Sequence, residues 1–381
     1  MRVEAFVQKL HCLGIETVTG VPDSTLKPFC DYICTEGKTA FEYHVVTENE
    51  GAAIAVATGE FLATGNVACV YMQNSGLGNA VNPITSLANT DVYGIPMLLL
   101  IGWRGEPEKK DEPQHKFMGK ITTGLLDLLD ISYSIVDEKT SDTDIDCILK
   151  RAKEEFNKNK QYAILIRVGT FEGRKETVYR NNYILERESV IEEIVKWLQE
   201  GDLVISTTGK ISRELYEKSN TILGGHAQTF MVVGAMGHAS MIAYQVAKRK
   251  KEQKVICLDG DGALLMHMGS LAVMGRNPEN QMIHICLNNE AHESVGGMPT
   301  GAPGISYSDI ARNCGYANVY HVTRKDELQQ VLAKIRTSDG MTFLQINVEI
   351  GSRSNLGRPK ETAEENKLSF MHYQNSLKES S

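Results

Sequence analysis

CLDGDGALL, residues 257–265, sets two aspartates between glycines where an apolar run ends. The run Val255-Ile256-Cys257-Leu258 reads as a buried strand. Carboxylates at its end are costly unless something positive meets them. The glycines allow a tight turn and bring a ligand close to the backbone. A second apolar run, 282–287, ends at Asn288-Asn289, with 25 residues separating this pair from Gly262. A parallel crossover needs a dozen or more residues, so a helix fits between the two strands. If the strands are neighbours, Asp261 and Asn289 emerge side by side. They offer a carboxylate and an amide oxygen, with no sulfur or imidazole, which suits Mg²⁺. So few protein oxygens leave room for phosphate oxygens and water, and free N–H groups of the following helix would hold the same anion. Each motif alone also reads as a turn or cap. The two together favour a metal–diphosphate site. An EF-hand does not fit, because ALLMHM supplies no further oxygen ligands. A dinucleotide fingerprint does not fit either, since no G-x-G-x-x-G follows the strand.

Outward from this stretch the chain alternates short apolar runs with helical patterns. Strands are expected at 17–19, 43–46, 67–72, 97–101, 133–136 and 163–168, with helices at 24–35, 49–63, 81–87 and 142–157. A charged stretch, FEGRKETVYRNNYILERE, interrupts the pattern. A second series follows: strands at 203–206, 255–258, 282–287 and 342–348, and helices at 190–199, 213–218, 239–249, 267–274, 307–313 and 325–336. Continuous apolar strands are those buried on both faces. The expected fold is therefore α/β: two doubly wound, mostly parallel-sheet domains, 1–172 and 189–381, joined by a linker at 173–188. The polar tail from Ser352 reads as loosely held.

Composition restricts the function classes. With 42% hydrophobic and 23% charged residues, the 381-residue chain has an ordinary globular make-up. A net charge of −8 argues against broad nucleic-acid binding. The apolar run 95–101 is too short to span a bilayer, and MRVEAFVQKL lacks a cleavage site, so no membrane partner or secretion is expected. Eight scattered cysteines form no zinc pattern and read as reduced thiols of a cytoplasmic protein.

Gly260-Asp261-Gly262 followed by Asn288-Asn289 resembles the signature of thiamine-diphosphate enzymes. The resemblance implies Mg²⁺ held by Asp261, Asn289 and the Ala291 carbonyl, with Gly260, Gly262 and Ala263 among the cofactor-binding residues. It implies a pyrimidine-binding first half and a diphosphate-binding second half, without the middle domain of many relatives. In TENEGAAIAVATG it gives Glu50 the contact to the aminopyrimidine ring. Thr47-x-x-Glu50 equally reads as a capping box. In GAMGHAS it gives Met236 the place between the cofactor's rings and the Gly234 carbonyl the exocyclic amine; Met236 also reads as core packing. Thr208 matches a diphosphate-side position.

GVPDS (20–24), MQNSGLGN (72–79), NPITSL (82–87), GWRGEP (102–107) and DEPQH (111–115) narrow the resemblance to 2-keto acid decarboxylases that act on phosphonopyruvate. What it implies is non-oxidative decarboxylation to phosphonoacetaldehyde and CO₂ through a cofactor ylid, in phosphonate biosynthesis, by at least a homodimer with shared active sites. Ser24, at a helix start, Lys27, Asn74 and Ser75 are candidate ligands of the anionic substrate. Ser24 also reads as an N-cap and Lys27 as a solvated face. His115, expected on a loop, is a candidate catalytic group that binds substrate or shuttles a proton. Arg353 and Arg358 could close over the phosphonate. Sulfopyruvate decarboxylation, carboligation and a non-catalytic cofactor-binding subunit remain the alternatives.

Overall fold

The computed structural model describes residues 1–37, 40–173 and 177–379. Two compact units divide it: 1–178 with 295–301, and 179–294 with 302–381. Residues 174–176 of the expected linker lie outside the described residues, and the helix Arg187–Trp197 begins within that linker.

The first unit holds a six-stranded sheet in the order Tyr43–Val46, Thr17–Gly20, Ala68–Gln73, Met97–Gly102, Tyr162–Ile166, Ser132–Val136. Every pairing is parallel. Met97–Gly102 is buried at every position, as a central strand covered on both faces must be. The second unit holds Thr229–Met231, Leu203–Ser206, Val255–Gly260, Met282–Asn288, Thr342–Asn347, Asn318–Val322, again all parallel. Numbered within its own unit, each sheet runs 2-1-3-4-6-5.

Alternation along the second sheet sorts its core into two layers. Val204, Ile256, Leu258, Ile283, Ile285 and Leu287 pack on one side. Leu203, Ile205, Val255, Cys257, Met282 and Cys286 pack on the other. Successive strand residues point to opposite faces, so near-continuous apolar runs fill both layers at once.

Several elements differ from the sequence expectation. Thr229–Met231 and Asn318–Val322 are strands the pattern hides, the first because it is so short and the second because it is only partly buried. Val3–Cys12 is a helix. Pro113–Leu128 is also a helix, with Pro113 in its first turn, where the missing N–H does no harm. His115 therefore sits on a helix and not on a loop. The expected helix 267–274 runs over Gly269–Arg276, and a separate short helix, Asp261–Met266, precedes it. The tail is not loose. Ala363–Glu379 is a helix, Phe370 is buried, and Asn366 donates to Thr229 O at 2.8 Å and accepts from Met231 N at 3.0 Å.

All eight cysteines are free thiols. Among the described residues no helix is long and apolar enough to cross a membrane.

Candidate active site

Ligands of open parallel sheets bind beyond the carboxyl ends of the strands, where the strand order reverses. Both units have that reversal between their first and third strands, and Asn74 and Asp261 each follow the third strand of their unit.

In the second unit, Asp261 follows the third strand and opens a helix. It is 2% exposed. Its Oδ1 accepts the Asn289 N–H at 3.4 Å, while Oδ2 is buried without a hydrogen-bond partner. Burial pushes its carboxyl up to about 7, with the Asn289 N–H pulling the other way. An orphaned, buried carboxylate oxygen of this kind calls for a missing partner. Asn289 lies beyond the neighbouring fourth strand; its Oδ1 accepts from Ala291 N at 3.1 Å, and its carbonyl is tethered by Asn181 Nδ2 at 2.9 Å. Carboxylate, amide and carbonyl oxygens form a hard donor set, so these residues fit Mg²⁺.

The loop after the second strand carries Gly234 and Met236. A Cβ at Gly262 would stand 3.4 Å from the Met236 methyl and 3.3 Å from the His292 ring, so Met236 lies beside the aspartate motif. Gly237, at φ +87°, lets this loop press on Ala263, whose carbonyl would be 2.9 Å from a Cβ there. Thr208 Oγ1 donates to Val233 O at 2.7 Å, tying the first-strand loop to the second-strand loop. Gly260 packs against Ile211. Arg353 is ion-paired to Glu188 at 3.0 Å and to Glu217, so those carboxylates already occupy it; Arg358 is exposed.

In the first unit, Glu50 opens the helix Glu50–Thr64 and is 5% exposed. Asn49 caps that helix by accepting from Ala52 N at 3.0 Å, and Thr47 Oγ1 donates to Asn49 O, so no capping box involves Glu50. Glu50 Oε2 accepts from Asn79 Nδ2 at 2.7 Å, and burial raises its pKa. Gly76 lies against the carboxyl.

Asn74 points inward. It donates to Arg104 O and Thr122 Oγ1, both at 2.9 Å, and accepts from Arg104 N at 3.1 Å. It is a bracket for the neighbouring strand end. Ser75 is exposed and accepts from Gln73 Nε2. Lys27 is paired with Asp31 at 2.5 Å.

Arg104 is the residue the sequence reading missed. Its Nε and Nη2 grip Asp111 as a fork, at 2.8 and 2.5 Å, and Nη1 donates to Ser24 Oγ at 2.9 Å. Guanidinium carries five N–H donors, so two are left over on a side chain that is 21% exposed. Burial and Arg104 lower the His115 pKa, and Asp111 opposes them. The signal was an arginine three residues after the apolar run 97–101, followed by glycine, in GWRGEP. Asp23 is fully buried beside it; burial raises its pKa to about 6, while Thr25 N–H and Arg104 pull down.

Comparison with known proteins assigns both halves of the chain to one family. Residues 2–125 match the family described as thiamine pyrophosphate enzyme, N-terminal TPP binding domain, and residues 215–346 match the C-terminal TPP binding domain. Phosphonopyruvate decarboxylase of Streptomyces viridochromogenes is 37% identical over 375 residues, covering 94% of this chain and 91% of the relative. Phosphonopyruvate decarboxylase of Streptomyces hygroscopicus is 35% identical, covering 91% and 88%. Sulfopyruvate decarboxylase of Methanosarcina acetivorans is 23% identical, covering 92% of each.

Proposed function

The chain belongs to the thiamine pyrophosphate enzyme family, and from that premise we propose that it decarboxylates phosphonopyruvate to phosphonoacetaldehyde and CO₂. The observation that carries the substrate is the identity of 37% and 35% to two phosphonopyruvate decarboxylases over more than nine-tenths of the chain. The sulfopyruvate relative, at 23%, supplies the second reading.

When bound, thiamine diphosphate supplies a carbon nucleophile and a sink for the electron pair released with CO₂. Asp261 Oδ2, Asn289 Oδ1 and the Ala291 carbonyl would hold its Mg²⁺. Met236 would pack against the cofactor, and Gly262 keeps space beside that methyl. Glu50, whose burial favours the protonated form, holds a proton for the pyrimidine nitrogen. In the net reaction the bond to the carboxyl carbon breaks and a proton takes its place. His115, kept neutral by burial and Arg104, is the group assigned to handle that proton. Arg104, aligned by Asp111 and joined by Ser24, directs its two spare N–H groups to the phosphonate oxygens. The proposal includes a cytoplasmic homodimer or higher oligomer with active sites shared between subunits.

Turnover of phosphonopyruvate and sulfopyruvate side by side, with thiamine diphosphate and Mg²⁺, tests the reading. A kcat/KM higher for phosphonopyruvate is expected; preference for sulfopyruvate would overturn the substrate assignment.

A further inference from the structure

A carboxamide can serve as a metal ligand only with its oxygen forward, yet a half-turn about Cβ–Cγ exchanges oxygen and nitrogen at almost no cost in shape. Something must choose between the two orientations of Asn289. Its Nδ2 donates to Glu293 Oε2 at 2.9 Å, four residues further along the chain. A carboxylate only accepts, so that contact demands the NH₂ end. The oxygen is thereby turned to the other side, where it accepts from Ala291 N.

Glu293 is itself immobilised. Arg187 contacts both of its oxygens, and Lys210 Nζ meets Oε1 at 3.0 Å. Arg187 is fixed in turn by a two-bond fork to Glu214, at 2.8 and 2.6 Å. The Arg187, Glu214 and Glu293 side chains are 3%, 1% and 8% exposed. Buried charges of both signs are tolerable here because each is paired and hydrogen-bonded. Glu214 alone could neutralise Arg187. The second carboxylate pairs with Lys210 as well, and its contact to an uncharged side chain is Asn289.

We infer that Glu293 is a positioning residue that fixes the carboxamide of Asn289 with its oxygen toward a hard divalent cation, and that Arg187 and Lys210 hold Glu293 for this task. The inference rests on the reading of Asp261 and Asn289 as Mg²⁺ ligands. Partners that orient a metal ligand typically change metal affinity by about 10–100-fold when removed.

The test is calorimetric titration of the full-length, metal-free protein with Mg²⁺ in the presence of thiamine diphosphate, alongside thermal melting. Glu293→Gln presents either an oxygen or an NH₂ to Asn289 and no longer dictates its orientation; Mg²⁺ binding weakens by about 10–100-fold. In an Asn289→Asp background both ligand oxygens are equivalent, and Glu293 only repels the new carboxylate. There Glu293→Gln tightens Mg²⁺ binding relative to Asn289→Asp alone. A merely structural role, or simple attraction of Glu293 for the cation, would weaken binding in both backgrounds and overturns the inference. So does wild-type affinity in the single variant. If Glu293→Gln does not fold, Lys210→Met loosens the same hold from its exposed side: weaker Mg²⁺ binding at an unchanged melting temperature supports the inference, and unchanged affinity overturns it. Wild-type protein that binds no thiamine diphosphate with Mg²⁺ overturns the underlying reading as well.

Discussion

Gly76 leaves Glu50 its place: a Cβ at residue 76 would lie 2.3 Å from Glu50 Oε1. The turn Asn74–Gly76 thus joins two candidate groups of the first unit, since Asn74 brackets the Arg104 backbone at one end and Gly76 abuts the Glu50 carboxyl at the other. No real Cβ stands that close, so Gly76→Ala must displace the carboxyl. Steady-state kinetics should show kcat reduced by at least about tenfold, with the thiamine diphosphate affinity changed far less. Unimpaired kcat would separate Glu50 placement from turnover.

Glu50→Gln keeps the shape and the Asn79 contact but loses the exchangeable carboxyl proton. Cofactor binding should persist, while decarboxylation falls by about 10²–10⁴-fold, the range for a positioned acid or base. Full activity would remove Glu50 from the mechanism.

Asp261 makes the stability of the metal-free protein pH-dependent. Its pKa rises from 3.8 to about 7 on burial, so the folded state holds a proton that the unfolded chain releases above pH 4. That contribution is complete below the unfolded pKa and is lost as pH climbs to the folded one. Metal-free wild type should therefore melt lower at pH 8 than at pH 5, beyond the slope of Asp261→Asn. Between pH 5 and pH 8 the difference has an upper bound of about 3 kcal/mol, from the roughly two units separating pH 5 from the folded pKa at about 1.4 kcal/mol each. Mg²⁺ with thiamine diphosphate should restore wild type and leave Asp261→Asn unchanged. Parallel melting curves across this range would contradict the burial of an uncompensated carboxylate.

Arg104→Lys cannot reproduce a fork to Asp111 together with a bond to Ser24. The KM for phosphonopyruvate should rise by at least about tenfold, and cofactor affinity should hold. An unchanged KM would take Arg104 out of substrate recognition.

Mixing tests the sharing of sites between subunits. Glu50→Gln and Asp261→Ala chains, each inactive alone, should regain activity when unfolded and refolded together, because some mixed pairs recover one intact set of both groups. Absence of any recovery, with mixed oligomers shown to form, would place both groups of a site on one chain.

The depth to which the sequence was legible follows from how each residue is held. Asp261 and Asn289 stand out because strand-end glycines and crossover length leave few other readings. Glu50 needed the family resemblance, since Thr47-x-x-Glu50 looks like a cap; the structure gives the cap to Asn49. Arg104 and Glu293 are charged residues beside a motif, a pattern that solvated loops share, and only the partners Asp111 and Asn289 distinguish them. Asn74 seemed free to meet substrate because nothing local reveals its bonds to Arg104 and Thr122, which are distant in sequence. Pro113 and its charged flank disguised the helix that carries His115. The strand Thr229–Met231 is too short for periodicity to register, although it delivers the Met236 loop.

At that same strand, Asn366 does with one side chain what a further strand would do with its backbone. Its amide gives a hydrogen to the Thr229 carbonyl and takes one from the Met231 amide. An open sheet rim otherwise recruits copies of itself. Shortening the polypeptide ahead of residue 366 would unmask this rim, and the first symptom would be self-association during purification, before any defect in turnover is measured. The C-terminal helix is in this sense a guard against precipitation.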